Sequence, residues 1–64
     1  MAYVLGEPPR TSNEAFGALE NVFSSEEFSA SEALEVLEET LDMTSSEASS
    51  AFRGLLRSGA IEEV

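Results

Sequence analysis

Each of the three amphipathic stretches in this 64-residue chain opens with a hydroxyl residue followed three places later by a glutamate: Thr11 with Glu14, Ser29 with Glu32, and Thr44 with Glu47. This spacing is the signature of a capping box. The hydroxyl oxygen accepts the backbone N–H of the third helical residue, and the glutamate reaches back to accept the N–H of the cap. Behind each box the apolar residues recur at three- and four-residue intervals, the period of a helix with one buried side. The pattern predicts a first helix over 12–23, with Ala15, Phe16, Leu19, Val22 and Phe23 inward. A second is expected over 30–40, burying Ala30, Ala33, Leu34, Leu37 and Leu41. The third should start at Ser45, bury Ala48, Ala51, Phe52, Leu55 and Leu56, and stop at Gly59, where positive φ carries no steric cost.

Outside these stretches the chain is punctuated by residues that cannot continue a helix. Pro8-Pro9 forms a stiff connector. It separates an arm or short strand, residues 1–10, from a domain over 11–64. Ala2 to Leu5 and Ile61 to Val64 both read as extended, and pairing with each other would satisfy their backbone groups. Ser24 to Phe28 is a polar break whose one aromatic, Phe28, is expected to tuck into the core as a strand of one or two residues. The fold class that follows is mainly α: three helices with, at most, a minimal two-stranded sheet from 2–5 and 61–64. A chain this short buries only about 60% of the surface its unfolded form exposes. With no cysteine, that thin core has no disulfide to reinforce it.

Thirteen acids against three arginines, with no lysine and no histidine, give a net charge of −10. Such a charge repels phosphate and anionic lipid over long range. No apolar run reaches the roughly 20 residues of a membrane span, and the start of the chain lacks the pattern of a signal peptide. A cytoplasmic protein with no membrane partner is therefore expected. Without His, Cys or Lys there is no general base of the usual kind beside Ser45, Ser46, Ser49 or Ser50, and no soft metal-ligand set. There is no glycine-rich phosphate loop either. The chain is expected to be no enzyme and to need no metal or cofactor.

The charge is unevenly spread. Residues 43–61 hold two of the three arginines and a single acid, Glu47, so that segment is +1 while the remainder is −11. At about 100° per residue, the side of the third helix turned away from its apolar stripe carries Ser46, Ser49, Ser50, Arg53 and Arg57 and no carboxylate. Only Leu41-Asp42-Met43 separates this helix from the second, the short turn of a helix-turn-helix unit.

With that turn in view, the segment FSASEALEVLEETLDMTSSEASSAFRGLLRSGAIEEV, residues 28–64, preceded by the helix over 12–23, resembles the winged-helix branch of the helix-turn-helix superfamily. Its ending, LLRSGAIEEV, is similar to the point where such domains leave the recognition helix and enter the first wing strand. The resemblance implies duplex-DNA binding and a role in transcription, with Ser46, Ser49, Ser50, Arg53 and Arg57 at the matching positions. It departs from the pattern in the wing: the wing is either absent or completed by Ala2 to Leu5 from the other end of the chain. The alternative is a protein-interaction or homodimerisation module, since small serines also accept another helix at close range. The acidic, lysine-free composition resembles that of proteins from salt-accumulating haloarchaea. In 1 M salt the Debye length is about 3 Å, so DNA binding is then decided by short-range contacts.

Overall fold

The computed structural model describes residues 1–10 and 13–64 and contains five elements: β1 (Tyr3–Leu5), α1 (Glu14–Phe23), α2 (Ala30–Thr40), α3 (Ser45–Ser58) and β2 (Ile61–Glu63). Two of the helices start as their sequence dictates. Glu32 donates its N–H to Ser29 Oγ at 3.2 Å and accepts the Ser29 N–H at 2.9 Å. Glu47 and Thr44 make the same reciprocal pair at 3.1 and 2.9 Å.

The first helix differs from the sequence-based expectation. It begins at Glu14 instead of Ser12, and its cap is Asn13, whose Oδ1 accepts the Phe16 N–H at 2.9 Å. Asparagine ranks among the best caps. With Asn13 in that position Glu14 is the first helical residue, two positions short of the third place that a capping-box glutamate takes. Thr11 and Ser12, on which the expected box and helix start rest, lie outside the described residues.

β1 and β2 pair antiparallel, Tyr3 opposite Glu63, Val4 opposite Glu62 and Leu5 opposite Ile61. The ladder extends past both strands through Val64 N–H to Ala2 O at 2.9 Å and Gly6 N–H to Ala60 O at 2.7 Å. Of the two alternatives for the segment after the third helix, the structure has the one in which the amino-terminal arm supplies the partner strand. On its other edge β1 meets Phe28: Tyr3 and Phe28 exchange both backbone hydrogen bonds, at 2.8 and 2.9 Å, in an isolated bridge. Tyr3 is thus paired on both sides, and Phe28 is the single-residue strand its sequence context suggests.

The core lies where the three helices and the sheet meet. Among the described residues twelve form it, and five of them are alanines: Ala15, Ala18, Ala33, Ala48 and Ala60. Small side chains let elements approach closely while burying little area, so the larger residues, Phe16, Leu19, Phe28, Leu37, Phe52, Leu55 and Ile61, supply most of the apolar burial. An aromatic cluster joins the sheet to the helices. The Tyr3 ring meets Phe52 edge-on at 5.2 Å, and Phe23 stacks on Phe28 at 4.5 Å. Val22, expected inward, is 52% exposed. It falls in the last turn of α1, where only Phe23 finds a neighbour to cover it.

Both connections that enter or leave the helices tightly use a left-handed residue. Asp42, with φ of 55°, turns the chain between α2 and α3, and Asp is among the few non-glycine residues that tolerate this region. Gly59, with φ of 87°, stops α3 as its position in the sequence predicts, its N–H donating to the Leu55 and Leu56 carbonyls.

Candidate nucleic-acid interface

The candidate surface is one face of α3. The helix is held at both ends, by the Thr44–Glu47 box at its start and by Gly59 at its stop, and Ser58 Oγ donates to the Leu55 carbonyl at 3.1 Å. Ala48, Phe52 and Leu55 anchor it to the core. This fixes its rotation and so decides which residues face solvent.

Ser46, Ser50, Arg53 and Arg57 are all exposed. Their spacing of four, three and four residues places them within about 60° of one another around the axis, a strip roughly 16 Å long at 1.5 Å per residue. Ser49, the fifth candidate, is half-buried and sits at the strip's flank, on the side of the helix that also carries Leu56 two turns on. The structure therefore brings four of the five together and leaves the fifth at the border with the core. Gly54 is exposed next to Arg53 in the chain, and nothing lies within 4 Å of where its Cβ would be.

The one carboxylate of α3, Glu47, is turned back to the helix start, where its Oε1 accepts the Thr44 N–H. There it complements the positive end of the helix macrodipole. Arg57 lies in the last turn, the favourable end for a cation. Both arrangements also serve helix stability, so the strip is compatible with a purely structural role as well as with recognition.

The surroundings are acidic. α2 exposes Glu32, Glu35 and Glu39 with Glu38 half-buried, and it carries no basic residue; Asp42 is exposed in the turn that follows. No charged side chain is buried among the described residues. Nor do three carboxylates converge there to hold a metal ion. Arg10, the third arginine, lines an open depression of about 500 Å³ with Pro8, Pro9, Asn13, Phe16, Gly17 and Glu20, and this set pairs no nucleophile with a base. Among the described residues no helix is long and apolar enough to cross a membrane.

Comparison with family models, with curated proteins and with solved structures finds no match for the chain.

Proposed function

We propose that this chain is a small cytoplasmic helix-turn-helix protein that binds duplex DNA through α3 in a transcription-associated role and in a salt-rich milieu. The observation that carries the proposal is the strip of Ser46, Ser50, Arg53 and Arg57: four exposed hydrogen-bonding groups on one rigid helix, with the helix's lone carboxylate folded back to its cap. A helix is about 10–12 Å across with its side chains, and the major groove is about 12 Å wide. Arginine grips guanine through two acceptors or holds a phosphate, and serine hydroxyls serve either. The order helix, short aromatic segment, helix, turn, helix and strand adds the winged-helix resemblance, with β1 in place of a second wing strand. One helix offers few contacts, so two copies would act together on a pair of half-sites.

A protein-interaction or homodimerisation module is the second reading. It is favoured by Val22, a large apolar residue 52% exposed at the end of α1, and by the open space over Gly54. A fluorescence-anisotropy titration of labelled duplex, run at several salt concentrations, separates the two. DNA recognition predicts binding that Arg53→Ala and Arg57→Ala each weaken by roughly 1–3 kcal/mol. Absence of binding under all conditions would hand the face to a protein partner, and so would binding that both variants leave unchanged.

A further inference from the structure

β1 occupies a slot between two other parts of the chain. On one side it is laddered to β2, and the ladder continues through Ala2 with Val64 and Gly6 with Ala60; on the other, Tyr3 exchanges both backbone hydrogen bonds with Phe28. The Tyr3 ring meets Phe52 as well. All of these partners lie beyond α1, in residues 28–64. Without β1, Phe28 and Ala60, only 2% and 1% exposed, would lose partners for their backbone groups, so the slot has to be filled by a β1. Which chain supplies it is decided by the connector.

That connector is residues 6–13, eight residues between Leu5 and Glu14. Glu7, Pro8 and Arg10 are exposed and Pro9 is half-buried, and no backbone hydrogen bond ties these four to another described residue. Two open depressions border them, about 500 Å³ against α1 and about 400 Å³ against Ser58 at the end of α3. The arm is therefore held in place by its strand and not by the chain that leads to it. The connector also stays near the end of α3, since Gly6 is bonded to Ala60 and Arg10 shares a depression with Ser58. Two consecutive prolines favour the extended polyproline form, about 3.1 Å per residue, over so compact a loop. Opened out, eight residues span about 26 Å, which equals the longest extent of the molecule, 26 Å. That reach is enough to lay β1 into the slot of a neighbouring copy.

We propose that two copies of this chain exchange β1, each laying Tyr3–Leu5 between Phe28 and β2 of the other, to form a two-fold dimer. The exchange reproduces every hydrogen bond that β1 makes within one chain. Its balance rests on the concentration of copies set against the effective concentration of a chain's own arm, which a stiff linker lowers. Salt assists, because two copies at −10 each repel one another and the repulsion is screened beyond about 3 Å in 1 M salt. The exchange stands independently of nucleic acid. Under the DNA-binding reading it supplies the pair of α3 strips that two half-sites require, each backed by the partner's Tyr3.

Sedimentation of the full chain at about 0.1 to 1 mM in about 2 M KCl tests the exchange, after refolding from urea at the same concentrations so that each β1 can enter either slot. A dimer whose share grows with concentration is expected. Its origin is read by refolding together two single-cysteine variants, Val4→Cys and Glu62→Cys. These positions face each other in the β1–β2 ladder, and such opposite residues lie about 5.5 Å apart at Cα, within disulfide range. Each chain then carries half of the pair, so exchange predicts that the mixed disulfide exceeds both same-variant disulfides by mass spectrometry. Pro8→Ala combined with Pro9→Ala should lower the dimer share at least about twofold, with helical circular dichroism unchanged. Monomer alone at every concentration overturns the inference. So does a dimer without an excess of the mixed disulfide, which joins through another face, and so does a dimer share that the proline variant leaves unchanged. Should a cysteine variant fail to fold, sedimentation of the parent and proline chains still decides. The failure of DNA binding is read separately, by the anisotropy titration.

Discussion

Gly6 has no counterpart among the residues whose importance is visible from spacing alone. A Cβ there would lie 2.7 Å from the Gly59 carbonyl oxygen and 2.8 Å from the Glu62 carboxylate, because the β1–β2 ladder brings the two ends of the chain into direct contact. The carbonyl belongs to the backbone that stops α3, so it has little freedom to retreat. Gly17 is the opposite case: it sits inside α1 with nothing within 4 Å of its would-be Cβ. The same change should therefore act with opposite sign at the two positions. Gly6→Ala is expected to destabilise the fold by about 1–3 kcal/mol, and Gly17→Ala to stabilise it by about 0.5–1 kcal/mol. Urea-denaturation midpoints of both variants against the parent would check this, and equal shifts would contradict the close approach at Gly6. Asn13 makes a related point about caps. Thr11 and Asn13 are both acceptable caps by residue type, and it is Asn13 Oδ1 that accepts the Phe16 N–H.

Among the elements, β1 has more influence than three residues suggest. It is hydrogen-bonded on both edges, to β2 and to Phe28, and its Tyr3 ring packs edge-on against Phe52 of α3. The strand thus helps to fix the rotation of the helix whose outer face carries Arg53 and Arg57. Tyr3→Ala removes an aromatic that is half-buried, not fully enclosed, so its cost should approach the low end of the large-to-small range, about 2–3 kcal/mol. Thermal unfolding followed by circular dichroism would measure it, and a loss under about 0.5 kcal/mol would mean that β1 merely rests on the surface. The helices themselves were largely legible beforehand, because capping boxes and three-to-four spacing are local signals. Val22 shows the limit of that legibility. It satisfies the periodicity of α1 yet stands 52% exposed, because periodicity identifies a side of the helix but not how far along it the neighbouring elements extend.

At the scale of the whole molecule the governing quantity is charge. None of the charged side chains among the described residues is buried, so the thirteen acids of the sequence face water with few cations to offset them. On α2 alone, Glu35 has like-charged neighbours at Glu32, Glu38 and Glu39, and each such pair costs about 0.2–0.5 kcal/mol. Together they amount to roughly 1 kcal/mol, which for a domain of this size corresponds to a shift of about 4–8 °C in the melting temperature. The melting temperature should therefore rise by at least that much between low and molar KCl, and sodium and potassium should act alike because the effect is screening. A melting temperature indifferent to salt would count against a fold adapted to high ionic strength. By itself the amino-acid order determined the three helices, the stop at Gly59 and the clustering of Arg53 and Arg57 opposite an apolar stripe, since each follows from contacts within a few residues. Only the tertiary structure decided that β1 pairs with β2 and that Gly6 must have no side chain. Those outcomes depend on residues more than fifty positions apart meeting in space, and short-range spacing carries no information about which distant segments will meet.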